Sequence, residues 1–441
     1  MNLVRQHVAV KLAAAALSFL ATLAVVRAID SGGSQLGIGD DSSVLSQGQR
    51  PSATTAQRIE ALEVDVQRSS SDPRSHVDLG QAYLTRFGET EDPSFYPRAE
   101  HEFETALTLA PNDPSAVAAM AKLQLSRHQF REGLALAERA RSLNPETVQI
   151  DALITDGEVE LGRYAAAANT LQHYVNRRPE LGSLARISYL RELHGDTAGA
   201  VRAMELAASA AGGERSANAA YATTLLGKLH ADQGDYATAA RELQGVLALK
   251  PGYPDAMLGL AAIEFSRGQT QAALERYRAV VRSVPAPDHA SLLGEAEEAA
   301  GHRAAADRAY QAARDAFDAE AAQGANTATE RALFEANHGD PGLAVELGRR
   351  ALHYTPSVRA ADAYSWALSS AGRDREALAM SRKAMRLGTR DPIYLYHAGF
   401  VALRAGQSDG AHSFLARLVA QSPEFHPLYG PRAQRALEGL D

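Results

Sequence analysis

The chain has 441 residues, 53 acidic and 45 basic, for a formal charge of −8, with 6% aromatics and one Trp. That length exceeds one ordinary globular core and calls for several domains or a repeat array, while abundant Ala and few aromatics favour closely packed helices over a sandwich or barrel. No basic field marks a nucleic-acid binder, and zero Cys excludes disulfides, thiolate zinc sites, iron–sulfur clusters, thiol nucleophiles and lipid-modified Cys.

At the N-terminus, Arg5 and Lys11 precede an unbroken apolar or small run over residues 12–26, and Val26-Arg27-Ala28 resembles a small-residue cleavage site. A run of this length fits a signal peptide better than a spanning helix, which needs about 20 residues. Residues 8–10 extend the run if Lys11 snorkels, so an uncleaved single-pass anchor is the rival reading. Both place the remainder outside the cytoplasm, because positive charge stays inside. Residues 1–28 are thus expected to be a signal peptide or anchor, and membrane contact is expected through them alone. Residues 29–57 are rich in Gly, Ser, Asp and Gln without periodicity and read as a flexible linker.

From about residue 58 onward the apolar residues recur with helical periodicity. A longer period overlies it. Gly162, Gly195, Gly234, Gly268, Gly301, Gly339, Gly372 and Gly406 follow one another at gaps of 33 to 39 residues. Pro111, Pro145 and Pro179, then Pro251 and Pro285, are spaced by 34. Gly stops one helix and Pro marks the junction after the next, so the unit is two helices and two turns.

This unit resembles the tetratricopeptide repeat, which has small residues at its eighth and twentieth positions, a usually small one at the twenty-seventh and Pro near the thirty-second. The eighth positions are Gly80, Ala121, Thr155, Ser188, Gly227, Ala261, Gly294, Ala332, Ser365 and Gly399. Twelve residues on stand Gly133, Ala167, Ala200, Ala239, Ala273, Ala306, Ala344, Ala377 and Ala411, while the first repeat reaches Ala99 after an insertion around residues 86–93. The resemblance covers residues 72–423. It implies an all-α, right-handed superhelical solenoid of about ten helix-turn-helix repeats within residues 58–423, with terminal capping helices. Residues 58–68 (Ile59, Leu62 and Val66 on one face) read as the first cap, and residues 424–441 as a C-terminal capping segment. Gly212 and Thr389 replace Pro, residues 314–324 overrun the period and suggest a longer helix, and residues 211–218 suggest a longer loop. The strings at residues 188–196 and 386–391 resemble those of a group of bacterial repeat proteins.

In the tetratricopeptide family the first helix of each unit lines the concave face. Carried over position by position, the resemblance implies a partner-binding groove that includes Tyr189, Tyr221, Lys228, Phe265, Arg359, Asp362, Trp366, Tyr396, Phe400 and Arg404, with Asp156, Glu160, Glu192, Glu295 and Glu298 in the same register. Trp366 and Phe400 occupy one register in adjacent units. Aromatic and Arg side chains suit anchoring, but the same aromatics also read as filler between neighbouring helices. The basic and amide set that holds a C-terminal carboxylate in some family members is absent from adjacent helices.

His194-Gly195-Asp196 and His338-Gly339-Asp340 could serve metal binding or proton transfer, yet both fall on inter-helix turns, where Gly and a capping Asp are expected. His101-Glu102 lacks the second His of a helical zinc peptidase, and no phosphate loop or nucleophile elbow occurs. The expectation is therefore a non-catalytic scaffold or adaptor of the cell envelope, periplasmic or membrane-anchored, that binds protein or peptide partners in its groove. No catalytic residue, metal ligand, cofactor or nucleic-acid partner is expected. The alternatives are a metal-dependent accessory protein or enzyme using the His-Gly-Asp turns, and an envelope glycan- or polymer-binding module.

Overall fold

Helix starts are written locally. Asp72, Asp113, Asp340 and Asp391 each accept a hydrogen bond from a first-turn amide, and each is followed by Pro at the first helical position. There the missing N–H has no intrahelical partner to lose. The computed structural model describes residues 54–211 and 216–440. The expected signal or anchor segment and most of the linker lie outside these residues.

Among the described residues are 22 α-helices and no strand. Helix α1 (Thr55–Arg68) precedes ten antiparallel pairs. They are α2 (Pro73–Thr90) with α3 (Phe95–Leu109), α4 (Pro114–Ser126) with α5 (Phe130–Leu143), α6 (Ile150–Glu160) with α7 (Tyr164–Arg177), α8 (Leu181–Leu193) with α9 (Thr197–Ser209), and α10 (Ala217–Asp232) with α11 (Tyr236–Leu249). Then come α12 (Pro254–Ser266) with α13 (Thr270–Ser283), α14 (Pro287–Ala299) with α15 (Arg303–Ala322), α16 (Ala328–His338) with α17 (Pro341–Tyr354), α18 (Val358–Ser370) with α19 (Asp374–Ala384), and α20 (Pro392–Arg404) with α21 (Ser408–Gln421). Helix α22 (Tyr429–Glu438) closes the chain. The overrun near residue 314 is absorbed by α15, which runs for 20 residues. The insertion in the first repeat lengthens α2 and the turn after it.

The small residues set how closely each pair packs. Ala99, Ala167, Ala200, Ala239, Ala273, Ala344, Ala377 and Ala411 are fully buried where the two helices cross. A larger side chain there would push the axes beyond the usual 8–10 Å or so. Ser188 and Ser365 add a bond at the same crossing: their hydroxyls donate to the carbonyls of Ala200 at 2.8 Å and Ala377 at 2.9 Å. At the ends, Ile59, Leu62 and Val66 of α1 cover the first repeat, and Tyr429 and Ala433 of α22 cover the last.

After about six 34-residue units the right-handed superhelix meets itself. The Asn326 amide donates to the Arg127 carbonyl at 2.8 Å, and Arg131 donates to the carbonyls of His353 at 2.7 Å and Tyr354 at 3.0 Å. The buried Val358 amide donates to Tyr164 Oη at 2.8 Å. Gln421 reaches the Asp232 carbonyl at 2.7 Å. Around Tyr164, the side chains of Val159 and Leu193 from the first turn pack with Val358 and Tyr394 from the second.

Two turn glycines serve this contact as well as their own turns. Gly162 (φ 69°) and Gly234 (φ 80°) are left-handed, and a Cβ on either would strike a carbonyl of the next turn, Pro356 or Gln421. Gly268 (φ 77°) has the same backbone and open space around it. Gly268→Ala should destabilise the fold by about 1–2 kcal/mol through backbone strain alone. Gly234→Ala should lose a further 1–3 kcal/mol or so, because the carbonyl must also move. Urea unfolding of the two variants side by side measures the difference, and equal losses would mean that the turns do not touch.

Candidate functional site

Because the turns touch, the concave face becomes the wall of a lumen. Its first helices carry charge inward, and burial forces that charge to pair. Arg186 on α8 grips Asp156 on α6 through two bonds, Nε to Oδ1 at 2.7 Å and Nη2 to Oδ2 at 2.5 Å. Arg359 on α18 lies 2.7 Å from Glu330 on α16, and Glu160 on α6 faces both. Lys228 Nζ on α10 is 2.7 Å from Asp232, with Glu192 and Asp391 facing the same ammonium. Burial opposes the Lys228 charge, but the surrounding carboxylates outweigh it and raise its pKa. Burial drives Glu192 the other way for a carboxylate, well above its usual range, although Lys228 opposes this.

A cavity of about 270 Å³ opens between α10, α12, α14, α16 and the start of α20. Leu225, Leu258, Ile263, Leu292, Leu333 and Ile393 are among the apolar residues of its wall. Residues 424–427, which are not helical, and Tyr429 complete the wall. This segment, a succession of turns, runs across the concave face. The Glu424 amide donates to Tyr236 Oη at 3.0 Å, and Ser266 donates to the Glu424 carboxylate at 3.1 Å. His426 Nε2 donates to Glu295 Oε2 at 3.1 Å, and the Tyr429 hydroxyl donates to Glu295 Oε1. His338 Nε2 donates to the same Oε1 at 2.9 Å. Burial works against a charge on Glu295, but His426 and His338 overcome it and hold the carboxyl well below the usual carboxylate range.

The groove residues expected from the sequence divide by depth. Tyr221 and Lys228 line the cavity. Tyr189 is half-buried at the joint between turns, and Phe265 is half-buried beside the sixth and seventh repeats. Arg359 and Asp362 are buried, the latter accepting from His397 Nδ1 at 2.8 Å. Trp366 is 5% exposed, stacks on His397 with centroids 4.4 Å apart, and donates its N–H to Asn337 at 2.7 Å. Tyr396 is buried between Phe400, at 4.5 Å, and Tyr429, at 5.0 Å. Arg404 is exposed, its guanidinium 5.4 Å from the Trp366 ring centroid. Trp366, Tyr396 and Phe400 thus come together, but with the C-terminal Phe425 and Tyr429 packed against them. Glu424, His426 and Tyr429 were not foreseen as groove residues. The only hint is Pro423 and Pro427, which forbid a helix across this stretch.

Apart from His338, which bonds Glu295 in the lumen, the His-Gly-Asp triplets serve their turns. Asp196 and Asp340 cap α9 and α17, and His194 Nδ1 lies 2.9 Å from the Leu190 carbonyl.

Paired helices, small residues at fixed crossings and a concave inner wall define an all-α repeat solenoid. Its unit is the tetratricopeptide repeat: residues 230–296 match the family model described as "Tetratricopeptide repeat". No curated protein matches the chain. Among solved structures it is similar to the human IFIT1 dimer with PPP-AAAA, at 16% identity over 75% of this chain and 77% of that one, with a TM-score of 0.45. It is also similar to yeast Tom70, at 13% identity over 88% and 96% of the two chains, TM-score 0.36. A tetratricopeptide repeat protein from Parabacteroides merdae aligns at 16% identity over 60% and 98%, TM-score 0.40.

The lumen charges give a pH signature. Burial pushes Glu160 up to about 7, against the pull of Arg359. Its folded pKa lies above the unfolded value near 4.5, so the protonated side chain favours the fold at low pH. That advantage disappears as pH rises through about 7. Glu160→Gln should therefore be nearly neutral at pH 4 and stabilising by on the order of 3 kcal/mol at pH 8. Thermal unfolding of both proteins across this range checks it, and a gap that does not grow with pH would contradict it.

Proposed function

We propose that the chain is a non-catalytic scaffold that holds extended segments of partner polypeptides in its lumen. The observation that carries this reading is the chain's own residues 422–427, held across the concave wall by Tyr236, Ser266 and Glu295. The wall combines apolar surface with a few converging polar groups, the composition of a recognition groove. Its enclosure suits a single extended strand better than a folded domain. The basic and apolar pattern of residues 1–28 supports an exported location, free in the periplasm or anchored by that segment. Among the described residues no helix is long and apolar enough to cross a membrane.

The test uses the full chain and a library of extended peptides. Leu225 and Leu292 line the cavity and are only half-buried, so Lys at each is tolerated by the fold while charging the wall. Leu225→Lys and Leu292→Lys should weaken peptide binding at least tenfold, about 1.4 kcal/mol, with helical circular dichroism unchanged. Leu206→Lys, on an exposed position away from the cavity, should leave binding unchanged. Peptides that bind the two cavity variants undiminished would place recognition elsewhere, and selective retention of RNA would replace the polypeptide reading.

A further inference from the structure

The insertion that breaks the repeat period in residues 86–93 has a partner in the next turn. It ends α2 at Glu91, a non-glycine residue in the left-handed region at φ 53° and ψ 22°. The touching turns bring this side chain to the N-terminus of α14, beside Asp288 and His289. One carboxylate oxygen of Glu91, one of Asp288 and a ring nitrogen of His289 all lie within 4.8 Å of one another.

The hydrogen bonds around the two α14 residues leave their inner atoms unused. His289 Nδ1 lies 2.9 Å from the Val284 carbonyl, which can only accept. Nδ1 therefore carries a hydrogen, and in the neutral ring Nε2 presents its lone pair. Nε2 is buried and makes no hydrogen bond, in a residue 1% exposed. Asp288 Oδ1 accepts from the His289 amide at 3.0 Å, while its Oδ2 is buried without a hydrogen bond in a residue 3% exposed. Two buried acceptors left bare beside a third carboxylate oppose folding while the imidazole is neutral, and only an added positive charge relieves them: a proton on His289, which Asp288 and Glu91 favour against burial, or a metal ion. A metal ion would accept the lone pairs of Asp288 Oδ2 and His289 Nε2 together, with the Glu91 carboxylate within reach.

We propose that Glu91, Asp288 and His289 bind a divalent transition metal of the zinc class, clasping the first repeat to the seventh. One imidazole with two carboxylates matches the ligand preference of zinc and its neighbours better than that of magnesium. Tetrahedral ligand bonds of about 2.0–2.2 Å place two ligand atoms of one ion roughly 3.3–3.6 Å apart, so side-chain movement of up to about an ångström closes the site. The carbonyl of Val284 fixes the imidazole tautomer, the role that an outer partner performs at metal-bound histidines. Asp288 also borders the lumen cavity, which gives the ion an entry path. The ligands stand 197 residues apart in sequence, so no local motif announces them.

The test is titration of untagged, chelator-stripped full-length protein with Zn²⁺ by calorimetry, with metal content measured after dialysis. The expected result is one Zn²⁺ per chain and a rise in the thermal midpoint when it is added. Glu91→Gln, on a partly exposed residue outside the core, should weaken binding at least about tenfold while retaining the helical spectrum. His289→Gln should abolish it, and Glu89→Gln, on an exposed neighbour, should leave it intact. If His289→Gln fails to fold, Glu91→Gln alone decides. No Zn²⁺ uptake by the wild-type chain, unchanged affinity in Glu91→Gln, or tighter binding of Ca²⁺ than Zn²⁺ would overturn the proposal. The first two outcomes would assign the cluster to a proton on His289 instead.

Discussion

Contact between successive turns is the constraint on which the rest depends. An open repeat array makes only neighbour contacts, and its stability is close to a sum over units. Here Tyr164, Gly162, Arg131 and Asp232 of the first turn touch Val358, Pro356, Tyr354 and Gln421 of the second. The interior then ceases to be a solvent channel. Every charge facing inward must find a partner, and Asp156 with Arg186, Glu330 with Arg359, and Glu295 with His338 and His426 are the result. Such pairs add little net stability over apolar packing. They penalise any other registration of the turns, since a slip would leave a buried charge alone.

The repeat itself was legible in the sequence because its determinants are local. Small residues at a helix crossing, glycine in a left-handed turn and proline at a junction act within one unit. Their spacing therefore survives even where Gly212 and Thr389 break the proline pattern. The concave register was legible for the same reason: Tyr221 and Lys228 do face inward. Whether an inward position meets water or protein depends on the pitch of the superhelix. Pitch is the accumulated result of small rotations at every junction, and no single residue encodes it. Trp366 and Tyr396 show the consequence. Their register marks the concave face, yet both are buried: Trp366 under His397 and Asn337, and Tyr396 under Phe425 and Tyr429 of the C-terminal segment, which folds back.

The interruptions of the period carry as much information as the period. The insertion at residues 86–93 looks like noise in a 34-residue pattern, but it extends α2 until Glu91 reaches the seventh repeat. The proline-flanked stretch after residue 422 looks like a spent C-terminus, but it supplies part of the wall of the lumen cavity. Features that a repeat consensus treats as defects are here the points where one turn is fitted to the other.

The joint at Tyr164 also has a consequence in time. Its partner Val358 lies 194 residues further along the chain. At synthesis rates of about 5–20 residues per second, the first turn waits roughly 10–40 s before the second exists. During that interval Val159, Tyr164 and Leu193 have no cover, and the half-built coil presents a sticky rim to whatever surrounds it. A chain threaded through a membrane as it is made would expose that rim on the far side first, so the order in which the turns emerge, as well as their final contact, governs whether the coil closes on itself or on a neighbour.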